Sequence, residues 1–580
     1  MKELKHQFDF CVVGGGLSGM CAAIAAARHG LKVALVQDRP VLGGNSSSEI
    51  RMWIGGAHGE NNLETGILEE IKLDNLHRNP LANFSTWDSV LYGKARFQPG
   101  LELFLNCTVN RVAAARGRIQ SVTGWQLTTE TWHTIEADYF ADCTGDGLLG
   151  FLAGAEFRLG REGRAEFNED IAPETADART MGLSCLFEVR ETTRPQKFVK
   201  PAWANTYKTD ADLNGRHHGL GSGNFWWIEV GGDRDSIHDA ETCRDELLKI
   251  VFGVWDHLKN QADHGMANWV LEWAGFLPGK RESRRFVGDH ILNQNDVRAG
   301  GKFDDLVAYG GWSMDDHFPA GFHHPGHGTI FHPAPSPFGI PYRSLYSRNI
   351  ENLVFAGRNI SSTHTAMSAA RVMATCAIIG QAAGTAVAVA KRHKLTPRGV
   401  YQHKIKELQQ TLMDDDCWLP WQTREVPALS RTAKLTATEG DPEPLRNGVD
   451  RPADGQDNAW VAAPGAAVTY ELAAAGELRE ARLVFDSDLN RSKGHGCGSA
   501  GMRCRYPLEF EENQPPQTLV RAFRVEVRDA AGKWSVVHRE DENHQRLVRV
   551  PLNRSATAVR LVPETTWGAA QVRVFAFDVR

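Results

Sequence analysis

The run Phe8-Asp9-Phe10-Cys11-Val12-Val13 leads without a break into Gly14-Gly15-Gly16-Leu17-Ser18-Gly19. Gly14, Gly16 and Gly19 stand at G-x-G-x-x-G spacing. An alanine-rich stretch, Met20 to Arg28, follows, Gly30 stops it, and Lys32 to Val36 forms a second, mostly apolar run. The order predicts strand, tight turn, helix, strand: a βαβ unit that binds a dinucleotide. Gly14 permits the turn, Gly16 lets the backbone approach a pyrophosphate, and Gly19 brings the helix close to the strand. The free N–H groups of the first helical turn, with Leu17 and Ser18, complement phosphate charge.

The next residues bear on which dinucleotide binds. An acidic residue ordinarily ends the second strand and holds the adenosine ribose. Here the run is Gln37-Asp38-Arg39, so Gln37 takes the place of the acid and contributes no charge. A second glycine pair trailed by small polar residues comes next, Gly43-Gly44-Asn45-Ser46-Ser47, suited to a loop along a pyrophosphate and ribityl chain. This combination resembles FAD-dependent oxidoreductases of the glutathione-reductase-like superfamily. The resemblance implies that Gln37, Asp38, Arg39 and Gly43 to Ser47 join Gly14 to Gly19 around FAD.

Further segments carry the same resemblance in the same order. From Leu101 the pattern turns to strands, Leu103 to Val109, Arg118 to Thr123 and Trp132 to Tyr139, a β-meander that would bring Val109 to the nucleotide. An apolar strand then ends in Asp142-Cys143-Thr144-Gly145-Asp146-Gly147, similar to the family's A-T-G-D-G stretch with Cys143 at the alanine position. Lys280-Arg281-Glu282-Ser283-Arg284-Arg285 resembles its R-E-S-R-R element. Read from composition alone, that run is a solvated basic face; by resemblance, Arg281 or Arg284 turns inward to an anionic group. Leu353 to Ala356 is a strand ending in Gly357-Arg358-Asn359, and residues 372 to 391 form a helix of small residues that packs on the sheet. Its first amides, near Met373, Ala374 and Thr375, would face the flavin C2 oxygen.

At 580 residues, 42% hydrophobic and 23% charged, the chain holds several soluble domains. A net charge of −6 argues against nucleic acid or an anionic membrane as partner. No apolar run approaches membrane-spanning length, and the first strand starts too early for a signal peptide. A cytoplasmic location is therefore expected, with the ten cysteines reduced. Cys497, Cys504 and His495 lack the pairing of a metal site, and no metal is expected.

The fold class expected is α/β: an FAD-binding Rossmann-type domain with an inserted α+β substrate domain, plus a C-terminal antiparallel β-sandwich. The boundaries are 1–150 and 346–400 for the FAD-binding domain, 151–345 for the substrate domain, 401–434 for a helical linker and 435–580 for the sandwich. The sandwich rests on seven short alternating runs, Val468 to Leu472 through Gln571 to Phe577, and is weakly similar to galactose-binding-like domains.

A small-molecule substrate, possibly a carbohydrate, is the expected partner, with the electron acceptor open. In the leading reading a secondary alcohol of a sugar, glycoside or polyol passes a hydride to flavin N5 while a neutral histidine takes the proton. His364 is one candidate base. His317, beside Asp315 and Asp316 in a histidine-rich stretch with His323, His324, His327 and His332, is the other. Trp226, Trp227, Trp269, Trp273 and Trp312 offer stacking faces or core. The alternatives are a C=C reductase in which Arg281 or Arg284 holds a carboxylate, and a glycan-binding flavoprotein with structural FAD.

Overall fold

A computed structural model describes residues 1–219, 224–261, 263–491, 502–503 and 505–580. Cys497, Cys504 and His495 lie outside the described residues. The chain divides into two compact units, and both are discontinuous in sequence.

The first unit comprises residues 1–58, 81–409 and 493–512. Its central sheet is built from β1 (Lys2–Val13), β2 (Val33–Val36), β3 (Leu101–Phe104), β4 (Cys107–Ala115), β5 (Arg118–Gln126) and β6 (Thr131–Asp142). The strand order is β3-β2-β1-β6-β5-β4, with Leu353–Phe355 added on β6. Strands β3, β2, β1, β6 and Leu353–Phe355 are parallel, while β4 and β5 form the antiparallel meander. The expected strand Leu103 to Val109 is broken, because Asn106 adopts a left-handed conformation with φ 54°. That break lets β3 stay in the parallel sheet and starts the meander at Cys107.

Helix α1 (Leu17–Arg28) lies buried along nearly its whole length. Its principal neighbour is the helix Met373–His393, and the contact explains the small residues of both. A Cβ on Gly380 would stand 2.0 Å from the Ser18 carbonyl oxygen, and one on Gly384 would stand 2.0 Å from that of Ala22. Four-residue spacing puts both glycines on one helix face. The small residues therefore serve helix–helix approach rather than helix–sheet packing alone. Met373–His393 is also long and apolar enough to cross a membrane by length and composition, contrary to the reading above. It is a core helix: 94% of its apolar window is buried.

The substrate region holds the helix Ala240–Asp256 on a buried cluster that includes Phe187, Phe225, Trp227, Trp255 and Trp269. Two short strands here, Leu183–Ser184 and Phe187–Glu191, follow each other closely yet pair in different sheets. Arg505 and Tyr506 return to this unit, pairing in parallel with Val189 and Arg190.

The second unit takes residues 59–80, 410–492 and 513–580, so it is wider than the 435–580 expected for the sandwich. Its strands are antiparallel, and two of them, Val468–Phe485 and Leu547–Thr566, each run through two of the short strands expected. Shifts of register after Glu471 and Leu478 let the long pair bend, so both layers share it. The helix Ile67–Arg78 completes this core with Leu73, which is fully buried. Arg491 closes on the buried Glu69 at 2.7 Å, and His544 Nε2 meets Asp74 at 2.7 Å.

Leu73→Ala should lower the unfolding free energy of this unit by about 2–5 kcal/mol, the usual range for a leucine removed from a full core. A fragment ending at residue 434 keeps Ile67–Arg78 and loses its packing partner, so limited proteolysis should cut within 59–80. Resistance there equal to that of the whole chain would show that this helix does not depend on the sandwich.

Candidate functional site

The glycine loop meets its expected geometry. Gly14 is at φ 105°, where a Cβ would stand 2.2 Å from the Cys143 carbonyl oxygen, and a Cβ on Gly19 would stand 1.9 Å from that of Gly14. Gly16 differs: a Cβ there meets only the Gly44 Cα, at 3.9 Å. Gly16 and Gly43 are bridged, and Gly43 N–H donates to Gly15 C=O at 2.8 Å, so the two glycine loops lie side by side. Leu17 and Ser18 open α1, whose N-terminus has neither a side-chain cap nor an acid in its first turn. Ser47 Oγ is buried without a hydrogen-bond partner among the described residues. An uncapped helix start, space beside Gly16 and an orphaned hydroxyl fit a bound pyrophosphate.

The residues after β2 act differently from the expectation. Gln37 is buried, its Oε1 accepting from Gly15 N–H at 2.7 Å and its Nε2 donating to Val41 C=O at 3.2 Å. It braces the glycine loop against the chain beyond β2. Asp38 is exposed, and Arg39 lies between Asp38 and Glu49. Asn45 Nδ2 donates to Lys280 C=O, and Ser46 Oγ to Gly43 C=O. Val109 is buried in the core under the meander.

The later segments converge. Asp146 accepts from Lys280 Nζ at 2.6 Å and from Arg358 at 2.8 Å, and Ser283 Oγ donates to Gly145 C=O. Burial raises the Asp146 pKa, but Arg358 and Lys280 outweigh it and hold the carboxyl below its ordinary value. Thr144 bonds Asp142 through its amide and hydroxyl, and Asn359 Nδ2 donates to the same carboxylate. Gly357 lies against Ser18, with its Cβ position 3.2 Å from Ser18 Oγ. The helix Met373–His393 has no side-chain cap either. One of its first amides, that of Ala374, donates to Gly55 C=O at 3.0 Å and is therefore engaged within the chain.

Arg281, Arg284 and Arg285 are all buried, so the basic run is not a solvated face. Arg285 is held by Glu282, Glu162 and the Ser362 carbonyl. Arg284 lies over the rings of Phe151 and Phe157 at 4.0 and 5.6 Å, beside a surface hollow that contains neither candidate histidine. Its guanidinium covers these apolar rings and donates to Asp146 C=O at 3.1 Å. Arg281 donates to Ser184 Oγ and Trp226 C=O and pairs with Glu229 at 3.4 Å.

His317 and His364 belong to one buried array of alternating charge. The strand Met314–His317 pairs with Thr329–His332, and alternation puts Asp315 and His317 on one face and Asp316 on the other. On one face Arg371 meets Asp315 at 3.3 Å. His317 lies between Asp315 (Nε2, 3.2 Å) and Glu229 (Nδ1, 2.6 Å), and Glu229 pairs with Arg281. On the other face His364 lies between Asp316 (Nε2, 3.1 Å) and Glu282 (Nδ1, 2.9 Å), and Glu282 pairs with Arg285. Asp316 therefore orients His364, and only Asp315 orients His317. Arg371 directly precedes the helix Met373–His393, so the array begins at its N-terminus.

Both imidazoles are shifted the same way. Burial lowers the His364 pKa, yet the charge of Glu282 and the bonds from Asp316 and Glu282 outweigh it and push it up to about 10. His317 is likewise raised, with burial overcome by Glu229 and Asp315. A neutral imidazole poised near pH 7 is thus not the resting form of His364. Glu282 sits inside a run read for its arginines, and its spacing between basic residues was a usable signal. Glu229 and Glu162 stand in no motif and were missed. The remaining histidines disperse: His323 pairs with Glu246, His324 stacks on Phe318, and His327 bonds the Thr329 carbonyl. Trp226 faces His317 edge-on at 5.3 Å and Trp312 stacks on His58 at 4.3 Å, while Trp227 and Trp269 are core. Arg51 lies over Trp273 at 4.3 Å.

Comparison with known proteins settles the family. The family model for FAD dependent oxidoreductases matches residues 9–412. The chain belongs to that family. It is an oxidoreductase whose cofactor is FAD. A glycerol-3-phosphate dehydrogenase of Mycobacterium leprae is 45% identical over 65 residues, 11% of either chain. A soluble pyridine nucleotide transhydrogenase of Marinobacter nauticus is 46% identical over 41 residues, 7% of this chain and 9% of the other. The match thus spans about a tenth of the length of these relatives. Among solved structures, a geranylgeranyl bacteriochlorophyll reductase-like protein of Thermoplasma acidophilum matches with TM-score 0.34 at 13% identity, over 71% of this chain and 85% of that one. A family 32 carbohydrate-binding module of Streptococcus pneumoniae EndoD matches with TM-score 0.20 at 16% identity, over 27% and 97%.

Two outcomes follow. Gly16→Ala should fold with near-native stability and lose FAD, measured on acid release, since its methyl meets open space where the cofactor lies. Gly19→Ala should instead lower the melting temperature, because its methyl strikes the Gly14 carbonyl. The second concerns pH: an unfolded imidazole titrates near 6.5 and folded His364 near 10. The folded state binds the extra proton, so this stabilisation is complete below about pH 6.5 and is lost as pH rises through about 10. Melting temperatures across that window should fall more steeply in the wild type than in His364→Gln. Equal slopes would remove the imidazolium assignment.

Proposed function

We propose that this FAD enzyme dehydrogenates a secondary alcohol of a sugar, glycoside or polyol. The observation that carries the reading is the clamped His364, with a carboxylate on each ring nitrogen. FAD, when bound, supplies the two-electron acceptor for the hydride. The chain supplies the proton path. Asp316 is the partner of His364 more open to solvent, and its carboxylate can receive a hydrogen bond from a substrate hydroxyl. Glu282 keeps Nδ1 of His364 protonated and fixes the ring, so Nε2 is the atom that gains or gives the proton. A hydroxyl proton arriving at Asp316 therefore passes to Nε2 of a neutral His364, 3.1 Å away.

Trp226 beside His317 and Trp312 beside His58 offer half-buried faces to a sugar ring. The names of the glycerol-3-phosphate dehydrogenases point to an oxidised polyol and support the same class of reaction. The high basicity of His364 also favours a second reading, C=C reduction, in which its imidazolium is the proton donor.

The sign of the pH dependence separates the two. Anaerobic flavin reduction by the polyol or sugar should accelerate from about pH 6 towards about 10 as His364 becomes neutral. His364→Gln should slow it by roughly 10²–10⁴-fold with FAD content unchanged. Reoxidation of reduced flavin by unsaturated acids, slowing as pH rises, would instead establish the second reading.

A further inference from the structure

A second histidine cluster stands outside the array. Asp210 opens the short turn Asp210–Leu213, which Thr209 caps. His218 follows that turn, His257 begins the wide turn His257–Gln261 that ends the helix Ala240–Asp256, and His264 lies just beyond. One ligand atom from each of the four lies within 4.8 Å of all the others. Asp210 Oδ1 is 3.1 Å from His257 Nε2, 3.4 Å from His218 Nε2 and 3.6 Å from His264 Nε2. The Nε2 atoms of His257 and His264 are 3.1 Å apart.

The opposite nitrogens explain how this convergence is set. His257 Nδ1 bonds the Tyr207 carbonyl at 3.0 Å, and His218 Nδ1 bonds the Arg216 carbonyl at 2.7 Å. A carbonyl only accepts, so each Nδ1 carries the hydrogen, and in the neutral ring the inward Nε2 is a bare lone pair. Backbone carbonyls orienting metal-binding imidazoles in this way are the ordinary outer shell of a metal centre. Lone pairs facing one another beside a carboxylate repel unless a cation lies between them. A tetrahedral ion with bonds of about 2.0–2.1 Å separates its ligands by roughly 3.3 Å. The four separations above bracket that value.

We propose that Asp210, His218, His257 and His264 bind one zinc ion. Three imidazoles and a carboxylate at tetrahedral spacing suit zinc, and four protein ligands make the site structural rather than catalytic. Asp210 is exposed, which gives the ion a path from solvent. The ion's role is to brace the substrate side. Arg216 donates to the carbonyls of Gly321 and His324, Asn214 Nδ2 to that of Phe322, and Trp227 Nε1 to that of His217. The clamped loop thus holds the hairpin loop that follows His317 and the residue next to Trp226.

Metal analysis of the chelator-stripped and zinc-reloaded flavoprotein tests this. One equivalent of tightly held zinc per chain is expected, and cobalt in its place should give the strong visible bands of a tetrahedral ion. His218→Gln and His264→Gln replace ligands at the rim, and each should weaken zinc binding by about 10-fold or more with circular dichroism and FAD content retained. No zinc uptake by the reloaded wild type, a weak octahedral cobalt spectrum, or unchanged affinity in both variants would overturn the site. The cobalt spectrum needs no variant, so a misfolded variant does not leave the assignment open.

Discussion

Charges buried without a partner destabilise a fold by several kcal/mol, and the FAD-side unit answers this constraint by alternating them. Arg371, Asp315, His317, Glu229 and Arg281 form one string, and Asp316, His364, Glu282, Arg285 and Glu162 form the other. Asp315, Glu229 and Glu282 each lie between two cations, Glu162 is held by Arg285 and the His364 N–H, and Asp316 ends its string on His364. The strings join elements far apart in the chain: the strand Met314–His317, the loop after Gly279–Lys280 and the helix His364–Ala370. Removing one member exposes its neighbours' charge, so the array is structural scaffolding as well as chemistry.

Close backbone approach is the second organising constraint. Gly14 and Gly19 bring α1 onto β1, while Gly380 and Gly384 bring Met373–His393 onto α1. A side chain at any of these four would strike a carbonyl oxygen. Two uncapped helix N-termini result within one unit, each suited to a negative charge. Gln37 shows how a departure from the family pattern is absorbed. Where an acid would have held a ribose, a neutral amide ties the glycine loop to the chain beyond β2.

Much of this was legible in the residues themselves. The glycine spacing, the run Thr144 to Gly147, the basic run after Lys280 and the strand before Gly357 are local patterns set by backbone geometry. They identified the cofactor domain and the segments that meet around it. Reading the arginine run as a choice between solvated face and anion site missed what it does, because buried pairing depends not only on Glu282 within the run but on Glu162 and Glu229, which no local pattern marks. The histidines were found by type, but the charge of His364 was not, since it is set by Glu282 and Asp316, both distant in sequence.

The sequence by itself determined the βαβ unit, the FAD-oxidoreductase type, the interrupted cofactor domain and the all-strand C-terminal region. These depend on periodicity and on glycine conformations, both encoded within a few residues. Tertiary structure alone decided that residues 59–80 join the sandwich core, that Asp315 and Asp316 serve different histidines, and that Asp210, His218, His257 and His264 converge. The physical reason is the same in each case. Burial and charge pairing act through space between residues up to several hundred positions apart, and neither leaves a periodic trace in the chain.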